Sequence, residues 1–270
     1  MSTEISSANT SLQDDLVLYE VRNRIVWLTL NRPDKRNALN AQMVTALKEA
    51  ITKAVAEPEN RVIVLAAAGK VFCSGADLDA LKQLQTNTFE QNLADSQHLR
   101  GLFDQIANCP LPVIAAVQGA ALAGGCGLAT VADFTIAVPG AQMGYTEVRI
   151  GFIPALVSAY LVKRIGEAKA RPLLLSGDLI TTERALALGL ITEVVEADAL
   201  YTHVQQLAKR LANQNSKQAM AATKALLTEM DGLSVHQATE LAAVANAHAR
   251  ATDDCQRGIA GFLAKAPVTW

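Results

Sequence analysis

The sequence predicts an α/β fold followed by a helical C-terminal region. Three observations carry that prediction. Short β-branched apolar runs alternate with stretches of helical periodicity through the first half of the chain. Two of the buried runs lead directly into glycine-containing turns. After Gly151 the alternation stops and one helical pattern follows another. The order strand, helix, strand, helix, strand implies right-handed βαβ units and a mostly parallel sheet.

Leu16 to Val21 and Ile25 to Leu30, split by Arg22-Asn23-Arg24, read as a hairpin. Asn40 is placed to cap a helix in which Met43, Val44, Leu47, Ile51 and Val55 recur at helical spacing. Arg61 to Ala67 is a buried strand, Asp77 opens a short helix or loop, and Phe89 to Ala107 is a longer amphipathic helix. Pro110 and Pro112 close that segment, Val113 to Val117 is the next buried strand, and a helix near Gly124 precedes a strand over Asp133 to Val138. Helices are then expected over Val157 to Ile165, Glu167 to Ser176 and Thr182 to Leu188, stopped by Gly166, Gly177 and Gly189. Pro172 costs about 3 kcal/mol inside a helix, so the second of these is expected to start late or kink. After a strand at Thr192 to Glu196 come four helices: Ala199 to Ala212, Ser216 to Met230, Ser234 to Ala251 and Asp253 to Ala264. The division expected is a frayed tail over 1–15, an α/β core over 16–197 and a helical subdomain over 198–270.

Half of the 270 residues are hydrophobic and 19% are charged, which excludes a disordered chain. Aromatics are only 4%, so Ala, Val, Leu and Ile must build the core. The formal charge of -2 offers no basic excess for nucleic acid or for an anionic membrane. The first fifteen residues lack the apolar core of a signal peptide and carry Glu4, Asp14 and Asp15, which a transit peptide avoids. The longest apolar run, Leu111 to Ala132, is broken by Pro112, Gln118 and several glycines, and suits a buried strand, turn and helix rather than a membrane span. Cys73, Cys109, Cys126 and Cys255 are scattered and form no CxxC pair, as in the reduced thiols of a cytoplasmic protein.

Several chemistries fail at once. There is no phosphate-loop lysine motif and no GxGxxG spacing. His98, His203, His236 and His248 lack metal-ligand spacing and read as surface or packing residues. Ser74 is not in a GxSxG elbow, and Cys73 has no nearby histidine. Two turns remain: Phe72-Cys73-Ser74-Gly75-Ala76-Asp77-Leu78 and Gly119 to Gly127. Both follow the carboxyl ends of predicted parallel strands, where open α/β sheets bind ligands. Their small residues either serve tight packing or let two backbone N–H groups approach an acceptor, as in an oxyanion hole. Glu147 lies in an otherwise apolar loop; it is either paired with a cation such as Arg149 or raised in pKa, hence usable as a general base or acid.

LNRPDKRNALN (Leu30 to Asn40), FCSGADL (Phe72 to Leu78), PVIAAVQGAALAGGCGLATVADFTIA (Pro112 to Ala137) and GYTEVRIGFIP (Gly144 to Pro154) together resemble the crotonase superfamily, the enoyl-CoA hydratase/isomerase family, over nearly the whole chain. The resemblance implies a crotonase-like spiral of ββα units with a helical C-terminal trimerisation subdomain. It implies an acyl-CoA thioester substrate, no metal or redox cofactor since coenzyme A is part of the substrate, and assembly as a homotrimer or a dimer of trimers. Matched residue by residue, the N–H groups of Ala76 and Gly124 would hold the thioester oxygen, and Glu147 would be the catalytic carboxylate. Arg36, Ala38, Asp77 and Leu78 would line the coenzyme A path, and Phe262 and Lys265 match an aromatic-x-x-Lys pattern near a coenzyme A phosphate.

One departure matters. Hydratases of this family carry a second glutamate twenty positions before the one matched by Glu147, and here that position is Gly127, which is expected to leave space for water. With NLADSQHL (Asn92 to Leu99) and GYTEVRIGFIPALVSAYL (Gly144 to Leu161), the chain looks closest to a single-glutamate branch resembling 3-methylglutaconyl-CoA hydratase of leucine breakdown. The resemblance implies hydration of a trans-2-enoyl-CoA. The alternatives are double-bond isomerisation with Glu147 as a proton shuttle, thioester hydrolysis, and a non-catalytic CoA-ester binding protein. A carboxylated acyl chain would need a cation, for which Arg149, Lys82 and Arg100 are the candidates.

Overall fold

The computed structural model describes residues 16–270, so the tail expected over 1–15 lies outside the described residues. The chain opens with β1 (Val17–Arg22) and β2 (Ile25–Leu30), turned back by Asn23 and Arg24, both at positive φ. Helix α1 (Ala41–Ala56) is capped by the Asn40 side chain, which accepts from Met43 N at 2.8 Å, and buries Met43, Val44, Leu47, Ile51 and Ala54 on one face. Next come β3 (Val62–Ala67), α2 (Leu78–Leu84), α3 (Phe89–Ala107), β4 (Val113–Val117), β5 (Ala121–Leu122) and α4 (Gly124–Val131). They are followed by β6 (Phe134–Ala137), β7 (Gln142–Gly144), α5 (Ala155–Ile165), α6 (Glu167–Ser176), β8 (Ile180–Thr181), α7 (Thr182–Leu188) and β9 (Glu193–Val194). Four helices end the chain: α8 (Leu200–Gln214), α9 (Lys217–Glu229), α10 (Val235–Arg250) and α11 (Asp253–Leu263).

The main sheet has the order β1-β2-β3-β4-β6-β9, parallel throughout except for the β1–β2 hairpin, so the expected mixed α/β fold with a mostly parallel sheet is borne out. Its strands read as unbroken apolar runs because both faces are covered. Alternate residues Val26, Leu28, Ile63, Leu65, Val113 and Ala115 face one core with α1 and α3. The intervening Ile25, Trp27, Val62, Val64, Ile114 and Ala116 face a second core, filled by Leu200, Val204, Ala208 and Leu211 of α8. Burying each such side chain contributes about 1.5–3 kcal/mol.

A second, three-stranded sheet, β5-β7-β8, escaped the pattern reading, since two of its strands are two residues long. Helix α6 has the expected bounds, without the late start that Pro172 suggested. It begins at Glu167, with Pro172 inside it rather than in a delayed first turn. The proline ring removes the amide that would have bonded the Ala168 carbonyl and crowds that carbonyl. The last three helices are unlike α8: α9, α10 and α11 contain no fully buried residue. Lys224 on α9 reaches into the core to pair with Asp133 and the Leu111 carbonyl. No described helix is long and apolar enough to cross a membrane.

Candidate active site

The two glycine turns meet. Cys73 and Ala121 form a parallel bridge, in which Ala120 O accepts from Phe72 N and Cys73 N at 3.0 and 3.2 Å and Leu122 N donates to Cys73 O at 2.9 Å. Gly75 sits at φ +88°, and a Cβ there would fall 2.8 Å from Ala123 Cβ and 3.0 Å from Leu122 O. Only glycine tolerates both that dihedral and that approach. On the far side of the turn, Leu39 N donates to Gly75 O at 2.7 Å and Asp77 N to Leu39 O at 2.9 Å. The Ala76 N–H between them has no acceptor among the described residues and borders a cavity. Gly124, the first residue of α4, borders the same cavity with a second N–H that has no acceptor among the described residues, one of the orphan donors of a helix start. Ala123, just before it, is held at φ 49°, ψ −123°, by Ala123 N donating to Gly144 O at 2.8 Å.

The Ala76 loop is braced from beneath. Arg32 donates to Asp77 Oδ2 and to Ala38 O, both at 2.9 Å, while Asp77 Oδ1 caps α2 through Asp79 N at 2.8 Å. Burial pushes the Asp77 carboxyl up, but the Asp79 N–H, Arg32 and Lys35 together hold it below its usual range. Arg36 and Asn37 both lie in the left-handed region, and the fully buried Asn37 side chain pays for that conformation with bonds to Ala68 O, Val71 O and Arg32 N.

Glu147 opens a single helical turn, Glu147–Ile150, directly after the residues that leave β7. It is half-buried, and its Oε2 is buried without a hydrogen-bond partner among the described residues. Burial pushes its pKa up, opposed only by its own backbone N–H. The ion pair with Arg149 weighed from the sequence is absent: Arg149 turns outward to Asp178 at 2.9 Å. The cavity holding Glu147, Ala76 and Gly124 has a volume of about 1110 Å³, and Leu99, Phe103, Leu156 and Val157 form its apolar wall. A partnerless carboxylate that shares an apolar-walled cavity with two free N–H donors can move a proton beside a polarised carbonyl.

The other candidates divide. Arg36, Ala38, Asp77 and Leu78 line the cavity, with the Asp77 carboxylate engaged by Arg32. Phe262 and Lys265 do not line it; Phe262 is 84% exposed at the end of α11. Arg149, Lys82 and Arg100 are all off the cavity, paired with Asp178, Asp79 and Asp104. Gly127 corrects an expectation. It leaves no space for water, because a Cβ there would lie 2.5 Å from Val157 Cγ1 and 3.0 Å from Phe103 Cζ. His98, set aside as a surface or packing residue, lines the cavity together with Asp95, its Nε2 bonded to Thr45 Oγ1 at 3.0 Å. The NLADSQHL segment held both residues, but only the packing of α3 on α1 shows that this face borders a cavity. Cys73 is fully buried, and burial pushes its thiol up to about 12, which opposes the thiolate a nucleophile needs.

Comparison with known proteins identifies relatives over nearly the whole chain. The sequence model described as enoyl-CoA hydratase/isomerase matches residues 20–270. A Thermus thermophilus relative named as an enoyl-CoA hydratase is 38% identical over 246 residues, covering 91% of this chain and 97% of its own length. The 2,3-dehydroadipyl-CoA hydratase of Escherichia coli is 30% identical over 245 residues, 90% of this chain and 94% of that protein. The crystal structure of an enoyl-CoA hydratase from Shewanella pealeana superposes with a TM-score of 0.90 at 30% identity, covering 96% of this chain and 97% of that one.

Proposed function

This chain belongs to the enoyl-CoA hydratase/isomerase family and is an enzyme of it, and from that premise we propose that it adds water across the 2,3 double bond of a trans-2-enoyl-CoA with Glu147 as its one carboxylate. The observation that carries the reading is the partnerless Glu147 Oε2 in a cavity bordered by the unpaired N–H groups of Ala76 and Gly124. The thioester oxygen accepts both N–H bonds, which draws electrons from C3. Glu147 takes a proton from water as the water oxygen bonds C3, and the electron pair moves to the oxygen as an enolate. The enolate collapses as C2 takes the proton back from Glu147, which ends ionised. One water has been added, and no second carboxylate is needed. Each oxyanion donor contributes about 3–4 kcal/mol in related acyl chemistry. Arg36, exposed on the cavity rim, and Ala38 face the coenzyme A portion, which is part of the substrate; no cofactor enters the scheme.

The acyl chain we favour is uncharged. Asp95 is on the cavity wall, and none of Arg149, Lys82 and Arg100 is, so 3-methylglutaconyl-CoA has no partner among the cations considered for it. A second reading, isomerisation of a 3-enoyl-CoA, is favoured by Val157 and Phe103, which occupy the space beside Gly127 where water would be held. Glu147 would then carry one proton between C2 and C4. We also read the exposed Leu227, Val235, Val244 and Phe262 of the last helices as faces for closure into a homotrimer or a dimer of trimers. In such an assembly Phe262 and Lys265 would approach a neighbouring copy.

The test is the ultraviolet absorbance of the conjugated thioester, with crotonyl-CoA, 3-methylglutaconyl-CoA and a 3-enoyl-CoA, and with Glu147→Gln in parallel. Loss of absorbance with crotonyl-CoA, abolished by Glu147→Gln, is expected. A gain from the 3-enoyl ester with the 2-enoyl esters untouched replaces hydration by isomerisation. Loss of absorbance accompanied by release of free thiol replaces hydration by hydrolysis, and no change with any ester overturns both readings in favour of binding alone.

A further inference from the structure

Tyr145 is the largest fully buried side chain among the described residues, and it carries a hydroxyl into an apolar core. A phenylalanine would fill the same space without needing a hydrogen-bond partner. The nearest partner is Thr130 on α4, the two hydroxyl oxygens 2.7 Å apart, with the Cys126 thiol of the same helix also beside the Tyr145 hydroxyl. Thr130 Oγ1 gives its one hydrogen to Cys126 O at 2.8 Å, so the Tyr145 hydroxyl is the donor in the shared bond. The chain of bonds is therefore directional, from Tyr145 to Thr130 to the backbone of α4. Arg164 Nη1 donates to Thr130 O and Ala132 O, both at 2.7 Å, and holds the carboxyl end of that helix.

The two segments joined by this chain are the ones that carry the site. Tyr145 is two residues before Glu147, and α4 begins at Gly124. A second tie connects them at the other end, where Ala123 N donates to Gly144 O at 2.8 Å. That bond continues the parallel β5–β7 pairing of Ala121 with Met143 and Leu122 with Gly144, so the backbone fixes the segments at Gly144, and the Tyr145–Thr130 bond holds them beyond the end of the ladder, on the side of the Glu147 turn. We propose that Tyr145, through its bond to Thr130, is a positioning residue that sets the Glu147 carboxylate against the Gly124 end of the oxyanion site. The proposal rests on the catalytic role read for Glu147 above.

The experiment compares Tyr145→Phe, Thr130→Val and Thr130→Ser with the wild type, on the full-length protein and on whichever enoyl-CoA ester it turns over fastest. Tyr145→Phe and Thr130→Val are each expected to lower kcat about 10- to 100-fold with KM within about twofold, the scale of a small misplacement of a reacting group. Thr130→Ser, which keeps the hydroxyl, is expected to stay within about threefold of wild type. The double variant is expected to be no worse than either single one, since all remove the same bond. The acid limb of the kcat profile is expected to move to lower pH in Tyr145→Phe, as a loosened Glu147 meets more water. Folded Tyr145→Phe and Thr130→Val with wild-type kcat and acid limb would overturn the proposal. So would a kcat loss shared equally by Thr130→Ser and tracking only the melting temperature. If Tyr145→Phe does not fold, the threonine pair decides alone. If the wild type turns over no enoyl ester, the reading of function fails separately. Carbon-13 NMR titration of Glu147 in the free protein, assigned with Glu147→Gln, then decides positioning, with an unshifted pKa in the Thr130→Val variant counting against it.

Discussion

Val157 and Gly127 are packed so closely that a Cβ on Gly127 would stand 2.5 Å from Val157 Cγ1. The position twenty residues before Glu147, where the family resemblance implies a second glutamate, is thus closed by a β-branched side chain with little freedom to turn aside. Gly127→Ala is expected to destabilise the protein by about 1–3 kcal/mol despite the better helix propensity of alanine. Val157→Ala in the same chain should recover most of that loss. Denaturant midpoints of the two single variants and the double variant check both statements, and additive losses would refute them.

Glu147 binds its proton more tightly in the folded chain than in the unfolded one, because burial raises its pKa. Stability is therefore greatest, as far as this group is concerned, below the unfolded value, and declines as pH rises through the folded value. Glu147→Gln removes the penalty. It is expected to raise the melting temperature at pH 7, with the gain vanishing in acid, while turnover falls at least 100-fold and binding of the CoA ester survives. Thermal melts at pH 4 and pH 7, beside a turnover assay and a binding titration, check this.

Asp77 has the opposite sign. Its pKa is held down, so its pairing with Arg32 stabilises the fold above the unfolded value and is lost as pH falls through the folded one. Asp77→Ala removes the α2 cap and leaves Arg32 without its carboxylate, at an expected cost of about 3 kcal/mol. Asp77→Asn keeps the cap and should lose less. Urea denaturation at neutral pH ranks the two.

Burial pushes the Cys73 thiol up to about 12 and Cys126 to about 11, whereas Cys255 is only half-buried near the start of α11. Iodoacetamide at pH 8 is expected to modify Cys255 first, with full retention of activity. Peptide mapping by mass spectrometry together with an assay of the labelled protein checks it; inactivation that follows modification of Cys73 would reopen a cysteine mechanism.

Much of this was legible from residue patterns because the forces involved are local. The Asn40 cap, the stripe from Met43 to Ile51 and the unbroken apolar strands each reflect neighbours within a few positions in the chain. Glu147 stood out for the same reason, as a carboxylate among apolar residues. What stayed hidden depends on partners distant in sequence. Arg149 is taken by Asp178, 29 residues on, and His98 turns to Thr45 across 53 residues. The β5-β7-β8 sheet offers strands too short to show alternation. Gly127 looked like room for water because a missing side chain reads as space until its neighbours are known.

Ala123 has an implication for anyone who sets out to harden this protein. Its φ of 49° with ψ of −123° is a conformation natural to glycine and costs about 1–3 kcal/mol for a residue with a Cβ. Ala123→Gly would return that energy, and a screen for thermostability would select it. The same exchange would release the peptide that aims the Gly124 N–H, so the hardier enzyme would be the slower one. The trade between endurance and speed in this chain is concentrated in a single methyl group.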